Sequence, residues 1–238
     1  MRQRLSALKI VFLSLLLISS CSIEKQNSNR TIEDIADEIL DATMLRYPST
    51  PTFYSIKNSP HDQLYDNSLN ALKQWQIRED QWLEELDTIG EPKKVGSRDW
   101  VTFGIIYESL AASRDARVCR KELWETSTTT AWYTGLPFIF DIQPLDSANL
   151  KRQALNRLGQ VSHFIDREIQ NLMIGLSQGY SSPRITVEAV PSEVRMLLEP
   201  NSPFLLMGER AEDEEFNNQV KEIFNDEIAP AIRRYAQF

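Results

Sequence analysis

Two histidines, one internal cysteine and several paired carboxylates are the residues of this chain whose types could do chemistry. His163 stands three residues before Asp166 and four before Arg167. Residues three and four apart share a helix face, so His163 and Asp166 could offer a metal two ligands. A catalytic zinc takes three protein ligands and an open water position. Nothing else stands at ligand spacing from His163, which therefore reads as a helix residue paired with Asp166 and Arg167. His61 immediately precedes Asp62 and reads as loop surface. Cys119 has Arg117, Arg120 and Lys121 beside it, and such charges favour a thiolate. Neither histidine is near it in sequence, so the expectation is a buried structural thiol. Glu84 with Glu85 and Glu214 with Glu215 read as charges on helix surfaces. The chain contains no H-E-x-x-H, G-x-S-x-G, P-loop or dinucleotide fingerprint. Trp124, Trp132, Tyr133 and Phe138, with Phe140, could line a ligand groove. Core packing is the commoner use of such a cluster.

The most specific local motif lies at the start. Arg2, Arg4 and Lys9 precede an apolar run from Ile10 to Ile18 that only Ser14 interrupts. These are the n-region and h-region of a signal peptide, and the run is too short for a permanent membrane span. Ile18-Ser19-Ser20-Cys21 resembles the lipobox of bacterial lipoproteins. The resemblance implies a diacylglycerol on the Cys21 thiol, cleavage before Cys21 and acylation of the new amino group. Several acyl chains, at about 0.8 kcal/mol per buried CH₂, make a stable anchor. Ser22 follows the cysteine. Aspartate there resembles an inner-membrane retention signal, so the expected location is the outer membrane, facing the periplasm. Residues 1–20 thus read as signal peptide and 21–30 as a flexible tether.

Composition narrows the partners. Without Arg2, Arg4 and Lys9 the chain keeps 23 basic residues against 34 acidic ones, a net charge of −11. That balance, with no basic stripe, argues against nucleic acid. Once Cys21 is lipidated only Cys119 remains, so no internal disulfide can form. There is no internal repeat and no low-complexity tract.

Helices must position these residues. Leu150, Ala154, Leu158, Val161, Ile165, Ile169, Leu172 and Leu176 recur at steps of three or four, the helical period. Ser147 suits the N-cap and Gly179 a left-handed C-cap. The spacing predicts one central helix over 147–178, roughly 48 Å long at 1.5 Å per residue. Arg157 and Gln160 fall on its wet face. Thr31 with Asp34 predicts a capping box at the start of a first helix. Further helices are expected over 62–89, 97–114, 185–198 and 212–238, the last kinked at Pro230. Residues 119–124 read as a short helical turn, and 131–143 and 200–207 as packed, aromatic-bearing loops. The expected fold is all-α: one domain over 31–238, a bundle of long helices around the central one.

Five short pieces occur in order: Cys119-Arg120-Lys121-Glu122-Leu123-Trp124-Glu125, Gln143-Pro144, the run from Asn171 to Tyr180, Ser202-Pro203-Phe204, and Ile228 to Ile232 with Tyr235. Together they resemble the amino-terminal half of the bacterial family catalogued as domain of unknown function 885, over roughly residues 45–238. The resemblance implies a mostly helical protein, often secreted or lipid-anchored, akin to zinc-peptidase-like hydrolases. The family's histidine–glutamate motif resembles the gluzincin metal site and belongs to its second half, which this sequence lacks. The resemblance therefore assigns no catalytic or metal-binding residue here, and zinc is expected only of the full-length family.

The expectation is a lipid-anchored, non-catalytic, truncated relative of that family. The alternatives are one half of a split metallo-hydrolase completed by a separate chain, and a peptide-binding lipoprotein that uses the aromatic segment. The last helix keeps its apolar spacing through Phe216, Val220, Ile228, Ile232 and Tyr235 to the end, so a protein partner or self-association is expected there.

Overall fold

Side chains that accept backbone N–H groups set where most of the longer helices begin. The computed structural model describes residues 30–127 and 129–238. The lipobox and Cys21 lie outside the described residues. Helix α1 (Ile32–Arg46) starts with the predicted capping box: Asp34 N–H donates to Thr31 Oγ1, and Thr31 N–H donates back to Asp34. A short α2 (Thr50–Phe53) follows. Ser68 caps α3 (Leu69–Ile89), Ser97 caps α4 (Arg98–Ala116) and Ser147 caps α6 (Ala148–Leu158). Between α4 and α6 lie two three-residue 3₁₀ turns, Arg117–Cys119 and Lys121–Leu123, and α5 (Trp132–Asp141). Then come α7 (Val161–Ser177), α8 (Arg184–Met196), α9 (Pro203–Arg210), α10 (Glu214–Ile223) and α11 (Ala229–Gln237). A π turn, Phe224–Ile228, joins the last two. No strand occurs among the described residues, and the fold is all-α as the periodicity predicts.

Two apolar clusters hold these helices. α1, α3 and α4 close around Trp82 and Leu86, both without exposed surface, with Ile35, Phe103 and Leu110. Beneath them the buried Glu79 accepts hydrogen bonds from Trp75, Ser113 and Arg117, so its charge is compensated. The larger cluster joins α5 to α11 around Phe140, Leu158, Ile165, Phe204 and Ile232. Leu158 and Ile165 have no exposed surface, as their mid-stripe positions require.

The structure corrects the sequence reading in several places. The central helix is divided at Gly159 and Gln160, because glycine is a poor helix former and Gln160 turns its side chain to another segment. That segment, residues 61–67, was expected to open a helix from Asp62 and is irregular instead; α3 begins only at Leu69, after its cap Ser68. Its backbone has no ladder, so side chains of α6, α7 and the turn between them satisfy it. His61 N–H donates to Gln153, Leu64 N–H to Gln160 Oε1, and Gln160 Nε2 donates to the Asp62 carbonyl. The Gln63 carbonyl accepts from Arg157 and the Asn67 carbonyl from Asn171. The expected loops at 131–143 and 200–207 are largely helical, as α5 and α9. In α9, Pro203 sits at the first turn, where its missing N–H costs nothing. Pro230 does more than kink the last helix. Its ring would press on the Asp226 carbonyl of a regular helix. The chain widens into the π turn just before it, where Ala229 N–H reaches back to the Phe224 carbonyl.

Candidate functional site

Gly175 decides where the most apolar concavity forms. The place of a Cβ on Gly175 is taken by the backbone carbonyl of Leu123, so the second 3₁₀ turn lies directly on α7. Trp124, which leaves that turn, is held by its own Nε1–H to the Cys119 carbonyl at 2.7 Å. Ser182 secures the neighbouring backbone: it donates to the Trp124 carbonyl and accepts from Thr126 N–H. Gly179 adopts φ +84°, which a left-handed C-cap requires, and brings Tyr180 N–H to the Gly175 carbonyl at 2.9 Å. Between Trp124, Leu176, Val187, Pro191 and Phe238 lies a groove of about 150 Å³, floored by Leu172 and Tyr235. Leu176 is 56% exposed and Phe238 51%, so the rim offers apolar surface to solvent. The hydroxyls of Thr126, Ser181 and Ser182 supply its few polar groups. Burial, with Glu168 and Tyr133 adding to it, holds the Tyr235 phenol far above its usual range. The phenol on the groove floor is therefore neutral.

Of the five aromatics with which the sequence outlined a groove, Trp124 alone lines this one. Trp132 and Tyr133 are buried on α5, and Trp132 meets Tyr235 edge to face with ring centroids 5.2 Å apart. They support the floor from behind. Phe138 is on another side of α5, 47% exposed and packed on Phe53.

The other candidates take different places from those expected. Cys119 is exposed, not buried, because it ends a 3₁₀ turn where Arg120 reverses the chain at φ +45°. Two of its three basic neighbours are engaged elsewhere: Arg117 pairs with Glu79 and Asp80, and Arg120 with Glu122. His163 is exposed and accepts from Arg167 at 2.6 Å, but Asp166 binds Arg234 instead, with contacts of 2.8 to 3.0 Å. Among the described residues no group of three or more His, Cys, Asp or Glu is arranged to hold a metal ion.

His61 departs furthest from expectation. It is 6% exposed, not loop surface, with Nδ1 2.9 Å from Thr52 Oγ1 and its carbonyl accepting from Gln143 Nε2. Beside it Arg157, assigned to the wet face, has no exposed surface at all. Its guanidinium donates to Thr52 Oγ1, Gln143 Oε1 and the carbonyls of Gln63 and Pro48. Burial lowers Arg157 to about 10, opposed by Asp62. Burial and then Arg157 lower His61, again opposed by Asp62. No local signal marks Arg157, since its partners stand 14 to 109 residues away.

Residues 48–238 match the model of a family described as bacterial protein of unknown function, DUF885. The chain belongs to that family. No curated protein matches it. In this DUF885 chain the family-like pieces fall on packing positions. Asn171 to Tyr180 carries Gly175 and the groove floor, and Cys119 to Glu125 is the segment laid on it. Gln143 is a partner of Arg157, Ser202-Pro203-Phe204 opens α9, and Ile228 to Ile232 leads from the π turn into α11.

Proposed function

We propose that this protein is a lipid-anchored, non-catalytic helical module of the bacterial cell envelope that binds extended peptides. Cys21 is the anchor, at the outer membrane facing the periplasm, and the groove at Trp124 takes apolar side chains of the peptide. The observation that carries the binding reading is the groove itself: an open, apolar concavity whose rim exposes Leu176 and Phe238 beside a fixed indole. Apolar side chains leaving water for such a surface gain roughly 25 cal/mol per Å². The nearby hydroxyls suit the peptide's own polar groups. The non-catalytic reading is supported by the histidines, which are not brought together: His61 is tied to Thr52, and His163 to Arg167 on α7.

Titrating the purified protein with apolar and polar peptides by calorimetry tests this. Apolar peptides should bind saturably, and Trp124→Ala should abolish binding with an unchanged melting temperature. Equal binding by Trp124→Ala would refute the groove. A peptidase screen with added zinc tests the other half. Turnover lost with chelator and in His61→Ala or His163→Ala would overturn the non-catalytic reading.

A further inference from the structure

A second concavity lies on the other side of His61. It is a cleft of about 800 Å³ whose walls include Thr52, Lys57, His61, Asp146, Asn149 and Gln153. The proton inventory of the buried network fixes what His61 presents to it. Arg157 has donors only, and one of its N–H groups is 2.8 Å from Thr52 Oγ1. Thr52 has a single hydroxyl hydrogen, and its other side-chain partner among the described residues is His61 Nδ1 at 2.9 Å. A buried hydroxyl without an acceptor is costly, so that hydrogen goes to Nδ1. Nδ1 is then the acceptor, and the neutral ring carries its proton on Nε2. Nε2 has no partner among the described residues, and the ring borders the cleft. The 6%-exposed ring is held in place through its backbone as well: its N–H donates to Gln153 at 2.7 Å, and its carbonyl accepts from Gln143 at 3.0 Å.

The electrostatics around this donor favour an anion. Every acceptor of the fully buried Arg157 guanidinium is neutral. A buried charge without a contacting countercharge leaves a positive potential in the low-dielectric space around it. The start of α6, the positive end of an 11-residue helix, forms part of the same wall through Asn149 and Leu150. The exposed Lys57 stands at the mouth. Two carboxylates oppose this. Asp146 shares the wall but is felt by Arg210, and Asp62 acts on both His61 and Arg157 without a hydrogen bond to either.

We infer that this cleft binds a small oxyanion, the carboxylate or phosphate of a small molecule, with His61 Nε2–H as the buried donor and Lys57 at the entrance. The site is separate from the peptide groove, and its test does not depend on that reading.

The full chain, ¹⁵N-labelled in maltoside micelles, contains two histidines, so the imidazole nitrogen spectrum is readable. His61 should show the Nε2–H pattern at neutral pH. Inorganic phosphate and acetate, each titrated at constant ionic strength, distinguish the two headgroups. At least one should shift Nε2 saturably, with a dissociation constant of about 1 mM or tighter. By calorimetry, His61→Phe should weaken that binding about tenfold or more, as for loss of a hydrogen bond to a charged group. Lys57→Ala should weaken it about threefold, as for an exposed ion pair. Lys57 makes no hydrogen bond among the described residues, so that variant keeps the test open if His61→Phe fails to fold. An Nδ1–H pattern, shifts that never saturate with either anion, or unchanged affinity in Lys57→Ala and in any folded His61→Phe would each overturn the inference.

Discussion

Gly175 and Leu123 meet backbone to backbone: the carbonyl oxygen of Leu123 stands where any side chain at position 175 would begin. One wall of the apolar groove follows from that contact. It sets the 3₁₀ turn on α7, and the turn sets Trp124 above Leu172 and Tyr235.

Gly175→Ala should therefore be one of the most damaging small substitutions in the chain. The added methyl meets main chain rather than a flexible side chain, so the cost is about 1–3 kcal/mol or more. Urea denaturation should show a lower midpoint, and the total tryptophan emission should move to the red as Trp124 lifts with the turn. An unchanged midpoint would mean that the contact is looser than described.

Leu158→Ala tests the division of the central helix. Leu158 is the last residue of α6, yet it has no exposed surface and lies in the large cluster with Val161 and Ile165 from α7. Truncation should cost about 2–5 kcal/mol. A melting temperature within a degree of wild type would remove Leu158 from the core.

Glu168 gives a pH dependence with a definite sign. Burial raises its carboxyl above the usual value, with Glu125 adding to it and the 2.6 Å hydrogen bond from Asn67 opposing it. The folded chain thus holds this proton more tightly than the unfolded one, whose value is the ordinary 4.5. The penalty is absent below pH 4.5 and grows as pH rises through the raised folded value. Glu168→Gln keeps an acceptor for Asn67 and removes the charge. It should be more stable than wild type at neutral pH, with the gain fading towards pH 4.5. Paired denaturation curves check this, because Asp66 and Asp213, both lowered, contribute equally to the two proteins. A constant or reversed difference would refute it.

Lipidation at Cys21 rests on the lipobox alone. Metabolic labelling with a fatty-acid analogue should mark the wild type and leave Cys21→Ala unmarked. Equal labelling of both would end the proposal of an anchor.

Much of the fold is legible because its signals are local. Thr31, Ser97 and Ser147 announce helix starts within three residues of themselves, and the steps from Leu150 to Leu176 describe one buried face. The break at Gly159 hides inside that same stripe, since Leu158 and Val161 keep the helical spacing across it. The irregular segment at 61–67 was illegible for the opposite reason: its hydrogen-bond partners are about a hundred residues away, on α6, α7 and the turn between them. The site was half legible. Trp124 could be picked out by its type, but not which aromatics would join it. His61 and Arg157 looked like surface because polar residues report their partners only once the chain is folded.

The π turn at Phe224–Ile228 works like a spacer inserted in a screw thread. It sets the angular phase of everything that follows. Closing the π turn into a regular helix with the same residues would turn α11 by about 100° about its axis. Tyr235 and Phe238 would swing out of the groove and Arg234 away from Asp166, without any change to the residues themselves. The groove is thus tuned by a count of residues as much as by their chemistry. Pro230→Ala removes the ring that keeps the turn wide; a folded variant that no longer binds peptide by calorimetry would display that tuning directly, and unaltered binding would show that the phase does not matter.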